Sequence, residues 1–139
     1  HSGTVTIGYR PTTPFRMNRR KIVLICAICW TAFIVIGLTI PGKSYPDSSL
    51  LDFDKAIHAG LFFILSLLWL FALAHDRLTR ALTITAIVVV FSFATEWYQE
   101  MLPFGRMGDV LDAVADTAGA LAGFAAWALY IVFRLEPPV

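Results

Sequence analysis

Charge is scarce in this chain of 139 residues. Asp, Glu, Lys and Arg make up 15% of it, against about 25% in soluble domains. Hydrophobic residues make up 58% and aromatic residues 14%, and a domain this small has too little interior to hide so much apolar surface from water. The same poverty of polar residues excludes intrinsic disorder. Cysteine occurs only twice, too rarely for a disulfide-stapled secreted scaffold. No sign of charge dominates. Eleven basic residues against ten acidic ones leave a net charge of +1, so there is no basic footprint for nucleic acid. No H-E-x-x-H or comparable metal signature is present. No Ser/His/Asp or Cys/His nucleophile set stands out either. The chain does have long apolar runs and a mean hydropathy of +0.70. It reads as an integral membrane protein.

About 20 apolar residues cross ~30 Å of hydrocarbon as a helix. Four such spans are expected, at about 22–40, 56–74, 81–101 and 110–133. The predicted fold is an all-α, four-helix transmembrane bundle with a membrane domain at 22–134. An N-terminal segment (1–21) and a short tail (135–139) flank it. Pro41–Lys55 reads as the longest connection, His75–Arg80 as a tight turn, and Leu102–Asp109 as a third loop rich in Pro and Gly. Residues 1–16, ahead of Met17, read as an expression remnant. The basic stretch before the first apolar run resembles a signal peptide, but the run is too long for an h-region and no small-residue cleavage site follows.

Basic residues are retained in the cytoplasm, which orients the bundle. Eight of them lie before the first span, in the second loop or after the last span, with two acids, for +6 on that side. Three basic and eight acidic residues give −5 on the other. Both termini are therefore expected to be cytoplasmic, in a bacterial-type inner membrane.

Ionisable residues inside membrane spans are costly and usually functional, and here they gather at the outer end. Asp54 and Lys55 open the second helix, and His58 follows Asp54 at i,i+4 on the same face. Glu96 and Gln99 sit near the end of the third, with Ser92 one turn deeper. Asp109, Asp112 and Asp116 form one stripe into the fourth. Arg106, between Gly105 and Gly108, can present a planar fork to a phosphate or carboxylate. Asp52 or Asp54 and Asp109 also suit helix N-caps, and Arg106 could merely neutralise its neighbours. Capping does not account for Glu96 and Asp116, which lie about two turns inside their helices. The expectation is an outward-facing pocket among helices two, three and four. Its catalytic candidates are Asp54, His58, Glu96 and Asp109. Its ligand-binding candidates are Lys55, Gln99, Arg106, Asp112 and Asp116. If a divalent metal is the cofactor, His58, Glu96, Asp109 and Asp112 are its candidate ligands. Cys26 and Cys29 have C-x-x-C spacing but lie in mid-span, and read as buried structural thiols. Gly119 and Gly123 form a small-xxx-small packing face. Trp97 and Tyr98 match an interfacial aromatic belt.

These polar residues carry a family resemblance. Asp54-Lys55-x-x-His58, then Glu96-x-x-Gln99, then Pro103-Phe104-Gly105-Arg106, then Asp109 and Asp112, then Asp116-Thr117-Ala118-Gly119 with Gly123, resemble in order and spacing the VanZ-like membrane proteins over about residues 52–124. Asp116 stands where that family usually has Asn, so it is expected to be protonated or paired with Arg106 or Lys55. The resemblance implies an association with resistance to glycopeptide antibiotics, chiefly teicoplanin-like lipoglycopeptides. Three functions remain open. The pocket holds an envelope lipid, a lipid-linked cell-wall precursor or an amphiphilic antibiotic; or it is a membrane-embedded hydrolase site acting on a lipid phosphate; or the polar cluster only braces a structural subunit. Membrane lipids are the expected partners, and nucleic acid is not.

Overall fold

The structure, a computed structural model, describes residues 18–39, 48–102 and 109–135. Its four helices are α1 (Arg19–Thr39), α2 (Ser48–Leu73), α3 (Leu78–Met101) and α4 (Val110–Leu135). Each contains a stretch long and apolar enough to cross a membrane, so the chain is a multi-pass membrane protein. Its surface bears this out. Phe33, Ile36, Ile87, Val90 and Phe133 all face outward, a cost in water and none in lipid. The inward faces mix large apolar residues with small and polar ones, and the small ones let helices approach closely where no hydrophobic effect drives them together.

The tightest approach is between α2 and α4. A Cβ placed on Gly119 would lie 2.1 Å from the Ala59 carbonyl oxygen, and one on Gly123 would lie 2.8 Å from both Phe63 O and Ser66 Cβ. Residues 119 and 123 therefore ride against residues 59 and 63, two parallel helices in step. The small-xxx-small packing face lies in this seam. Two apolar clusters fill the space around it. Ile34, Leu38, Phe62, Leu65, Val88 and Ala120 form one. Leu70, Ala74, Ala81, Ile84 and Trp127 form the other.

α1 is peripheral. It buries only Ala27, Ile34 and Leu38 and is pinned by indole N–H groups. Trp30 Nε1 donates to Leu61 O at 3.0 Å, and Trp69 Nε1 donates to Thr31 Oγ1 at 3.1 Å. Contacts at the two ends fix the bundle's polarity. Arg20 at the start of α1 bonds His75 in the α2–α3 turn, and Arg134 from the end of α4 lines a cavity with both. Thr39 at the far end of α1 lies 3.3 Å from Tyr98 near the far end of α3. The turn itself is made by His75 and Asp76, both left-handed (φ 50° and 59°).

Two expectations change. α2 begins at Ser48, well before the apolar run. Asp52 and Asp54 are therefore inside a helix and are not N-caps, and the first connection is shorter than Pro41–Lys55. The hydrophobic pattern marks where a helix enters lipid, and a helix can begin outside it. Cys26 and Cys29 are exposed on the outer face of α1 and unbonded, not buried. The narrow buried stripe of α1 leaves them facing lipid, which is apolar enough to hold a thiol.

Candidate functional site

The polar residues of three helices meet at the end of the bundle opposite the termini. α3 turns one stripe inward (Val88, Ser92, Thr95, Glu96, Gln99), and α4 turns another (Ala113, Asp116, Gly119, Ala120). α2 supplies His58 between them, its side chain 6% exposed. The glycine seam sets this meeting. Gly119 is one turn beyond Asp116, and its partner Ala59 is next to His58, so close backbone contact there brings the two side chains together.

At the centre, His58 Nδ1 and Asp116 Oδ1 are 3.1 Å apart, and the Asp116 side chain is 1% exposed. An ionised Asp116 accepts from Nδ1–H, and Nε2 is then the ring nitrogen turned away from Asp116. Nε2 faces Asp112 Oδ2 at 3.9 Å. The other oxygen, Asp112 Oδ1, is sealed from solvent and finds no partner among the described residues. Asp54, one turn before His58, brings a carboxylate oxygen within 4.8 Å of both.

A second layer lies toward the loop end. Asp109 caps α4, accepting the Leu111 N–H on Oδ1 at 2.9 Å, and its Oδ2 pairs with Lys55 Nζ at 3.5 Å. Its own N–H donates to Glu96 Oε2 at 3.2 Å. Glu96 thus sits against the N-terminus of α4, where unsatisfied N–H groups favour an anion. Ser92 Oγ lies 3.5 Å from Thr117 Oγ1 beneath it.

Of the residues expected here, Asp54, Lys55, His58, Glu96, Asp109, Asp112 and Asp116 come together as one connected set. Gln99 is buried on the same face of α3. Arg106 lies outside the described residues. The expected pairing of Asp116 with Lys55 or Arg106 is replaced by pairing with His58. Lys55 enters α2 nearly a turn before His58, which sets its ammonium beside Asp109 at the mouth and leaves Asp116 to the imidazole. Thr95 and Ser66 are buried polar residues that sequence reasoning passed over. Thr95 satisfies its hydroxyl on Ser92 O at 2.7 Å, a local bond common in membrane helices. Only the inward spacing from Ser92 signals its position.

One member of the set, Glu96, borders a groove on the side of the bundle. A cleft of about 160 Å³ opens between α3 and α4, lined by Phe93, Glu96, Trp97, Glu100, Val110 and Ala113. Its lining is mostly apolar, with Trp97 66% and Val110 75% exposed; Glu96 is its buried carboxylate and Glu100 an exposed one.

No curated protein and no solved structure matches the chain. The family model for VanZ/LLP1 matches residues 22–134, all four spans and every described member of the polar set. The chain belongs to the VanZ/LLP1 family.

Proposed function

We propose that this VanZ/LLP1 protein holds the polar head of an envelope amphiphile in the α2–α3–α4 cluster while the ligand's chains stay in the membrane. The carrying observation is the lateral cleft, because it joins lipid-facing walls (Phe93, Trp97, Val110) to a buried carboxylate (Glu96). A site that only braced the bundle has no need of an apolar approach from the membrane. Lys55, its side chain 27% exposed beside Asp109, supplies a cation for a phosphate. The ligand classes that fit are an envelope phospholipid, a lipid-linked cell-wall precursor, and a lipoglycopeptide antibiotic with a basic amine. Sequestering the last would give glycopeptide resistance. Basic residues crowd the end holding Arg20, Arg77, Arg80 and Arg134, so that end is assigned to the cytoplasm of a bacterial inner membrane and the polar cluster to the outer leaflet.

Native mass spectrometry of the protein in nanodiscs, titrated with a polyprenyl phosphate and separately with teicoplanin, tests the reading. One bound ligand per chain is expected for one of them, reduced in Lys55→Ala. Equal occupancy in wild type and empty nanodiscs contradicts it. The His58–Asp116 pair favours a second reading, a hydrolase of the same lipid phosphate. A buried carboxylate that orients an imidazole is the arrangement a general base requires. Release of inorganic phosphate from the polyprenyl phosphate, abolished in His58→Asn, is its signature.

A further inference from the structure

We propose that Asp54, His58 and Asp112 form a binding site for one divalent transition-metal ion, with Asp116 as the residue that positions the histidine. Three observations converge. One imidazole nitrogen and two carboxylate oxygens lie within 4.8 Å of one another, a mixed N/O donor set suited to Zn²⁺ or Mn²⁺. The His58 ring is oriented from behind. Nδ1 is held by Asp116 at 3.1 Å and Nε2 is the nitrogen that faces Asp112, and a carboxylate behind a ligating histidine is the usual arrangement at metal sites. Asp112 Oδ1 is sealed from solvent without a partner among the described residues, so part of this carboxylate is left unsatisfied by them.

Ligands about 2.1 Å from a tetrahedral ion stand roughly 3.4 Å apart. His58 Nε2 and Asp112 Oδ2 are 3.9 Å apart, and the Asp54 oxygen, within 4.8 Å of both, has to swing inward to complete the set. The charge argues the same way. Asp54, Asp112 and Asp116 converge on one imidazole, and Lys55 is engaged with Asp109. A divalent cation neutralises that excess where solvation is poor.

A second set, His58, Glu96 and Asp116, also has donors within 4.8 Å of one another. It would use Asp116 as a ligand and would pull Glu96 from the Asp109 N–H. The two arrangements make opposite demands on Asp54 and Glu96, so they can be told apart.

Metal uptake by the full chain, purified in detergent and stripped with chelator, tests the site without any lipid ligand. Its failure therefore leaves the amphiphile reading standing. Mn²⁺ is titrated by electron paramagnetic resonance, with Zn²⁺ as competitor. One Mn²⁺ per chain is expected, displaced by Zn²⁺. Asp112→Asn and Asp54→Asn should each weaken binding at least tenfold. Asp116→Asn should weaken it about 10- to 100-fold as a positioning change, and Glu96→Gln should leave it within twofold. Metal-free unfolding of every variant checks that the fold is kept. Uptake that is absent in wild type, or unchanged in Asp54→Asn and Asp112→Asn, overturns the proposal. So does a loss in Glu96→Gln with Asp54→Asn unaffected.

Discussion

Replacing Gly119 with alanine is the sharpest test of how the fold builds the site. The added Cβ would sit 2.1 Å from Ala59 O, and Cβ atoms essentially never come closer than 3.0 Å to a neighbour. The obstacle is backbone, which no rotamer change can move aside. α2 and α4 must therefore part locally by about 0.9 Å or more. Overpacking of a tight seam costs about 1–3 kcal/mol, and here the strain has a second consequence. Asp116 is one turn away and His58 adjoins Ala59, so the same displacement stretches their 3.1 Å contact to roughly 4 Å, beyond hydrogen-bond range. Gly119→Ala is expected to lower the unfolding midpoint in detergent and to break the His58–Asp116 hydrogen bond, seen as a changed imidazole ¹⁵N spectrum. Gly60→Ala is the matched control. Nothing lies within 4 Å of its added methyl, and the gain in helix propensity makes it neutral or stabilising by up to about 1 kcal/mol. A Gly119→Ala protein that unfolds with Gly60→Ala and keeps the wild-type His58 signal would refute the close-packed seam as the basis of the site.

Trp30→Phe keeps an aromatic ring but loses the N–H bond to Leu61 O. It should destabilise by about 0.5–1 kcal/mol in a detergent unfolding titration, and an unchanged midpoint would mean the bond does not hold α1. Topology is checked by labelling single cysteines in a Cys26→Ser, Cys29→Ser background. Ser48→Cys should react with an impermeant maleimide in intact cells and Asp76→Cys only after lysis, and the reverse pattern would invert the assigned orientation.

The sequence showed the four spans clearly because apolar runs of membrane length have few other uses. It also showed most of the polar set. Asp54 and His58 at i,i+4, Glu96 and Gln99 at i,i+3, and the Asp109–Asp112–Asp116 stripe are each readable along one helix. Contacts between helices were not readable. That His58 meets Asp116, while Lys55 turns to Asp109, depends on how far α4 slides along α2, and this is set by Gly119 against the Ala59 carbonyl. Periodicity fixes which face a residue occupies but not the height at which two faces meet. The start of α2 at Ser48 was hidden for a related reason: hydropathy reports the lipid boundary, and the helix outruns it. Cys26 and Cys29 were not readable because mid-span position does not fix burial: in a membrane an apolar side chain meets lipid as readily as protein.

The central claim is that the polar cluster receives an amphiphile and does more than lock the helices together. Glu96→Gln separates the two roles most directly, because it keeps the shape of the side chain and can still accept the Asp109 N–H. Affinity for the polyprenyl phosphate or teicoplanin and the ligand-free unfolding midpoint should be measured on the same preparation, for wild type and Glu96→Gln. The expected result is at least a tenfold change in affinity with a midpoint close to wild type. A lowered midpoint with unchanged affinity would contradict the claim and leave the cluster a structural brace.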